Sequence, residues 1–514
     1  MRVTNRMMTN NMLANINGNK SRLSKLEEQY STGMRIQKPS DDPIVAVRAL
    51  KLRTNLAELN QYYEKNIPDA KSWLEVTESS LKNIDSIISQ MNTYCVQGSN
   101  DTLTAKDRNA IAQNLRELKD QIYQEGNANY AGRYVFTGFK TDTPLVFDEN
   151  TSKYHYTMTE KLDYTAISKR TQVQNSVSIS QYNEADPANS DFENRPTMSE
   201  VYRVRLAYGS LLADEGVTIN LDPEYDEYGE VLKDDDGNIV YAESFTNINV
   251  VSESDPDAFA PADGAVNFIA ETGELILSKE VYNDWVRGER EFHVTYSKNS
   301  FLKNDLKPEH YFDCVRTEYD DNGDLDDVTE VKFEKVVQDI EYEVNFNQRL
   351  KINTEGSDAF THATARMCDE ILNAISDVEA VENKLAQVDK MLADSNITEE
   401  QKKALNTLKE MLDTELVLRN EVLKTRCRSG ITETKEQQDY AGVAIADLGS
   451  RYVRLELTES RLAIQQDDFT ELLSNNEDAD LVETIINFTA AETVYNASLS
   501  AAGKVVQNSL LDFL

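Results

Sequence analysis

"VYNASLSAAGKVVQNSLLDFL" (residues 494–514) carries Val494, Leu499, Val505, Val506, Leu510, Leu511, Phe513 and Leu514 to the last position. Segments at a chain end are usually polar and frayed, so this composition calls for a reason. Read upstream, Leu481, Ile485, Phe488, Glu492, Tyr495, Leu499, Ala502, Val506, Ser509 and Phe513 recur at alternating spacings of four and three. Those spacings put them on one face of a helix, as a seam about 50 Å long at ~1.5 Å rise per residue. An amphipathic helix alone is marginal in water, so the seam predicts a partner helix.

The other end of the chain supplies one. Met12, Ile16, Asn19, Leu23, Leu26 and Tyr30 are also spaced four, three, four, three, four. Both seams are poor in Ile and Leu and rich in Asn, Ala, Ser and Met. Polar seam positions lower stability and set register or oligomeric state. Periodicity alone allows either a stalk formed within one chain or helices that wait for neighbouring subunits. The expectation taken forward is that assembly buries the tip.

Between these seams the chain changes character twice. Residues 1–147 read as helical, 148–355 as short strands and turns, and 356–514 as helical again. The fold class expected is therefore α+β, with a long coiled-coil domain built from both ends and a β-rich middle insert. "STGMRIQKPSDDP" (31–43) breaks the first helix at Gly33 and Pro39. Ser40 is the expected cap of the second helix, with Asp41 and Asp42 beside its positive end and Pro43 in its first turn. Pro68 is expected to kink the second helix, and a third spans about 104–128. Ser357 or Thr361 would cap the helix that opens the last third. "RSGI" (428–431) is a candidate interruption and "SNNEDAD" (474–480) a break.

In the middle, "QDIEYEVNF" puts Ile340, Tyr342, Val344 and Phe346 on one strand face. "REFHVTYSK" does so with Phe292, Val294 and Tyr296. Asp236-Gly237, Thr272-Gly273 and Asn322-Gly323 mark tight turns, where Gly supplies the positive φ.

The net charge of −37, from 90 acidic and 53 basic residues, argues against nucleic acid and anionic membranes as partners, because phosphate is bound by clustered Lys and Arg. No stretch approaches the ~20 apolar residues that span a bilayer. The start has no secretory h-region, which predicts a cytoplasmic chain or one exported by another route. Cys95, Cys314, Cys368 and Cys427 form no C-x-x-C pair, and His155, His293, His310 and His362 no H-E-x-x-H. P-loop, G-x-G-x-x-G and G-x-S-x-G patterns are also missing. "KDDDGNIVYAE" (233–243) has acidic residues at EF-hand-like offsets, but Leu232 holds the first ligand position. With "EYDDNGDLDD" (318–327) it reads as an acidic hairpin turn. The expectation is a chain with no enzyme chemistry, metal or cofactor.

Several blocks resemble the flagellin family: "MRVTNRMMTNNMLANINGNKSRLSKLEEQYSTGMRIQKPSDDPIVAVRAL" (1–50), "AKSWLEVTESSL" (70–81), "GRYVFTGFKTDTPLVF" (132–147) and the stretch from Arg454 to the C-terminus. The likeness is close over 1–147 and 445–514 and looser over 340–390. "KPSDDP" and "SLLDFL" resemble the hook–filament junction branch more than filament flagellin. The resemblance implies terminal helices that form the inner coiled-coil domain of a tubular assembly, and export through the flagellar type III apparatus to the cell exterior. It implies as partners a ring of further copies, hook-associated protein 1, flagellin and an export chaperone. The assembly seams would then be Met12, Ile16, Leu23, Leu26, Tyr30, Leu481, Ile485, Phe488, Tyr495, Leu499, Val506, Leu510 and Phe513. The acidic insert and the stretch 396–430 depart from the family pattern.

Overall fold

A computed structural model describes residues 5–100, 103–226, 228, 231–234, 239–319, 325–394 and 396–511. Four helices come first: α1 (Asn5–Thr32), α2 (Pro43–Gln61), α3 (Ile67–Gly98) and α4 (Ala105–Glu125). The strands β1 (Asn129–Tyr130), β2 (Arg133–Tyr134), β3 (Tyr154–Asp163), β4 (Ile167–Gln174), β5 (Thr197–Arg205), β6 (Val217–Pro223), β7 (Tyr241–Phe245), β8 (Ile248–Val251), β9 (Val266–Ile269) and β10 (Glu274–Leu277) follow. Next come α5 (Lys279–Arg287), β11 (Glu291–Lys298), β12 (Asp313–Tyr319), β13 (Leu325–Phe333), β14 (Glu341–Asn345) and β15 (Gln348–Lys351). Three helices close the chain: α6 (His362–Leu392), α7 (Glu399–Glu477) and α8 (Leu481–Leu511). The fold is α+β. Two compact units form: one holds residues up to Lys71, Tyr342–Leu350 and those from Tyr452 on; the other holds Ser72–Glu341 and Lys351–Arg451.

In the first unit the cap of α2 is Asp42, not Ser40. Its carboxylate accepts the N–H groups of Ile44 and Val45 at 3.1 and 3.2 Å. The reason is Pro43. A residue before proline is pushed into extended backbone, and Asp42 takes φ −152°, ψ 99°, the geometry a cap requires. Asp41 instead accepts from Gln37 and Lys38 N–H. Downstream, Tyr62–Asn66 form a π-turn between α2 and α3. Pro68 stands in the first turn of α3, where its ring clashes with the carbonyl four residues back, and the ladder widens by one residue. The β14–β15 ribbon belongs to this unit. Phe346 lies in its turn, largely exposed, rather than on the strand face read from sequence, because the chain reverses there at Asn347 with φ +54°. Asn66 Nδ2 donates to the Glu343 carbonyl at 2.8 Å.

The second unit holds two sheets with a shared core. One runs β13-β12-β3-β11-β6-β7, all antiparallel; the other runs β4-β5-β10-β9-β8, with β8 and β9 parallel. Phe292, Val294 and Tyr296 of β11 meet Phe268, Leu275 and Trp285 in that core. The opposite face of β11 is covered too, so His293, Ser297 and Lys298 are buried. Gly273 turns the chain between β9 and β10 at φ +62°, and a Cβ there would meet the Tyr208 carbonyl. Asp236-Gly237 and Asn322-Gly323 lie outside the described residues.

The helices α3, α4, α6 and α7 add further apolar packing to the second unit. No interruption occurs at 428–431: α7 runs through it. A Cβ on Gly430 would lie 2.9 Å from Cys95 Sγ, and one on Gly98 2.6 Å from Cys427 Sγ. The two glycines therefore let α3 and α7 approach closely, each facing the other helix's thiol. Burial pushes both thiols up to about 12. Thr361 precedes α6, but its hydroxyl donates to Gln437 rather than capping the helix.

Candidate assembly surface

The two seams belong to the first unit, and α1 and α8 pair antiparallel. Near the middle, Asn19 Nδ2 donates to Ser498 Oγ at 2.9 Å. Towards the turn, the Tyr30 and Phe488 rings stack with centroids 6.4 Å apart. Gly33, at φ +70°, ends α1, and its carbonyl accepts the Ala479 N–H at 2.8 Å. Arg35 N–H donates to the Glu477 carbonyl at 2.6 Å. The Glu477 carboxylate, nearly buried, holds Arg53 at 2.6 Å. Asp480 caps α8 by accepting from Val482 and Glu483 N–H.

On α1 the residues turned to α8 are those of the sequence seam: Met12, Ile16, Asn19, Leu23 and Leu26 are half-buried, and Tyr30 is more exposed. On α8 the register differs. The inner face consists of Thr484, Phe488, Ala491, Tyr495, Ser498 and Ala502. Phe488, Tyr495 and Ala502 were in the sequence seam. The alternate positions fall one residue earlier, at 484, 491 and 498 instead of 485, 492 and 499. A 3-4 and a 4-3 alternation are equally periodic. The hydrogen bond required by Asn19 selects Ser498 over Leu499, and small residues at these positions allow close approach.

The consequence lies on the flanks of α8 and, at Val482 and Ile486, on its far side. Leu481, Val482, Ile485, Ile486, Val494 and Leu499 remain 44% to 69% exposed. Met7, Met8 and Leu13 of α1 are similarly open. Exposed apolar area of this kind is a candidate interaction surface. Val506 and Leu510 have helical backbone, but their side chains, like all of Phe513, lie outside the described residues.

Elsewhere the chain offers little chemistry of its own. His155 Nε2 lies 2.8 Å from Glu215. His293 Nδ1 lies 2.8 Å from the Tyr241 hydroxyl, and burial lowers its pKa. His310 Nε2 faces the Pro144 carbonyl at 3.3 Å. Among the described residues no group of His, Cys, Asp and Glu could hold a metal ion, and no helix is long and apolar enough to cross a membrane. Of the acidic "KDDDGNIVYAE" turn, Asp236 and Gly237 are outside the described residues. Glu243 lies on β7, 3.6 Å from Arg290.

Residues 3–141 match the family described as the bacterial flagellin N-terminal helical region. The chain is similar to flagellar hook-associated protein 3 of Salmonella typhimurium, 35% identical over 157 residues that cover 30% of this chain and 49% of that protein. It is also similar to a flagellin of Clostridium tyrobutyricum, 36% identical over 127 residues, 25% of this chain and 33% of that one. The solved hook-associated protein 3 of Legionella pneumophila aligns at 12% identity and a TM-score of 0.29, covering 82% of this chain and 97% of that one. The chain spans about half the length of the hook-associated protein it matches.

Proposed function

We propose that this chain is a structural subunit of the bacterial flagellum: a hook-associated junction protein that links hook-associated protein 1 to the flagellin filament. The observation that supports this most directly is the exposed apolar area of α8. Its inner side is occupied by α1, and Leu481, Val482, Ile485, Ile486, Val494 and Leu499 around the rest of it are open to water. Copies set side by side in a ring would cover those residues, and the loss of apolar surface from water would drive assembly. The similarity to hook-associated protein 3 agrees with this reading.

The mechanism is exchange of helix faces, with no bond chemistry. The subunit leaves the cell through the type III apparatus. Before export, a chaperone covers the end of α8; afterwards a neighbour does, so Leu499, Val506, Leu510 and Phe513 serve two partners in turn. The terminal segments 1–147 and 356–514 act in assembly, and the acidic 148–355 region lies on the outside of the flagellum. A second reading, filament flagellin, draws on the similarity to the Clostridium protein. Copy number separates the two, since a flagellin would dominate the mass of sheared filaments.

Electron microscopy of cells lacking the chain tests the proposal. Hooks without filaments, with flagellin shed to the medium, are expected. Normal filaments in that strain overturn it.

A further inference from the structure

The second unit contains a cavity of about 280 Å³ lined by Glu160, Arg205, Tyr311, Phe360, His362 and Arg366, among others. Arg366 and His362 are four residues apart on α6 and so share one of its faces. The Arg366 side chain is 9% exposed. Its Nη2 donates to the Thr272 carbonyl, its Nε has no partner, and among the described residues it makes no ion pair.

The neighbouring arginines, although Arg203 Nε is likewise without a partner, are all held in ion pairs. Arg203 is held by Glu274 and by Glu370 at 2.9 Å. Arg205 is held by Glu370 at 2.8 Å and Glu433 at 2.9 Å. The paired guanidiniums in turn hold the Glu370 carboxyl well below the usual range. The carboxylates in this region are therefore engaged, and Arg366 is left over. A guanidinium does not shed its proton in a protein, and although Glu274, Glu370 and Asp369 act on Arg366 from a distance, a buried charge with no carboxylate in contact is costly.

Two further polar atoms beside it have no partner: His362 Nε2 and the Tyr311 hydroxyl. The His362 ring is enclosed by Tyr208, Tyr311 and Phe312, with centroids 4.7, 4.8 and 5.3 Å away. Burial pushes its pKa down to about 3, so it stays neutral and can donate through Nε2–H. Glu160, the carboxyl in the lining, already accepts from Ala207 N–H and Tyr296 OH, both at 3.0 Å. It lies beyond ion-pair reach of Arg366. Ser357 and Thr361 add hydroxyls to the wall.

We propose that this cavity binds a small oxyanion, gripped by the Arg366 guanidinium, His362 Nε2–H and the Tyr311 hydroxyl. Unsatisfied donors beside an unpaired cation call for an acceptor that carries negative charge. A metal cation would be repelled by Arg366 and Arg205. The volume lies at the small end of ligand pockets, which run ~300–1,000 Å³, and suits an anion the size of phosphate or a short dicarboxylate. The site belongs to the second unit, and its test is independent of the assembly proposal.

The test uses the purified full-length chain, with thermal unfolding and calorimetric titration against inorganic phosphate and against malonate, at ionic strength held constant with sodium chloride. At least one of the two should raise the unfolding temperature saturably, as a ligand that binds only the folded state does. Response to one alone assigns the ligand to phosphates or carboxylates. Arg366→Gln should abolish that rise while making the anion-free protein no less stable, because it removes an uncompensated charge. Tyr311→Phe deletes only a hydroxyl without a partner, so the fold is kept while anion affinity falls about tenfold. The proposal is overturned if neither anion does more than chloride. It is also overturned if Tyr311→Phe and a folded Arg366→Gln both bind as the parent does.

Discussion

Leu499→Glu, at the exposed edge of the α1–α8 pair, and Phe488→Ala, beneath Tyr30 within it, separate assembly from stability. Leu499 is 44% exposed. Full burial of a leucine is worth ~1.5–3 kcal/mol, so covering what remains open contributes about 1 kcal/mol. The six exposed apolar residues of α8, 44% to 69% open, together offer on the order of 5–10 kcal/mol per subunit before the entropic cost of association. Glutamate at 499 removes one share and puts a carboxylate where a neighbour would have to desolvate it, a penalty of several kcal/mol. In the free chain the same side chain faces water, and Leu and Glu have similar helix propensity, so stability should change by no more than ~0.5 kcal/mol. Phe488→Ala instead removes the ring stacked on Tyr30 and should cost the α1–α8 pair about 1–2 kcal/mol. Urea unfolding of the purified variants measures the stabilities. Electron microscopy of a complemented null strain measures assembly. The expected result is a stable Leu499→Glu chain that restores no filaments. Two results refute the reasoning: Leu499→Glu as destabilising as Phe488→Ala, or filaments of normal length with glutamate at 499.

Two further predictions concern the second unit. Gly430→Ala should destabilise by about 1–3 kcal/mol in chemical denaturation, because its Cβ would lie 2.9 Å from Cys95 Sγ and overpacking outweighs the ~1 kcal/mol gain in helix propensity; a stabilised variant would show that the glycine is not there for packing. Acid should weaken this unit before carboxylates titrate. Burial pushes His310 down to about 4 from an ordinary 6.5, so between those values the unfolded chain holds the extra proton and stability falls as pH drops, by ~1.4 kcal/mol per unit or about 3 kcal/mol in all. His362 acts in the same direction. His310→Gln should flatten that slope in urea titrations between pH 7 and 4.5, and an unchanged slope would contradict it.

Periodicity and composition made much of this molecule legible. Helical ends, a strand-rich middle, the breaks at Gly33 and near 474–480, and the α1 seam all follow from local rules: the 3.6-residue repeat, the two-residue repeat and the backbone limits of Gly and Pro. These act between near neighbours, so they survive reading in one dimension. Three features did not. The shift of the alternate seam positions of α8, from 485, 492 and 499 to 484, 491 and 498, goes with Ser498 meeting Asn19, 479 positions away. The unbroken α7 depends on Cys95 facing Gly430, which sequence alone reads as a helix breaker. The cavity around Arg366 depends on which arginines win the available carboxylates, a competition among β5, β10, α6 and α7. In each case the deciding partner is distant along the chain, and only the tertiary structure brings it within reach.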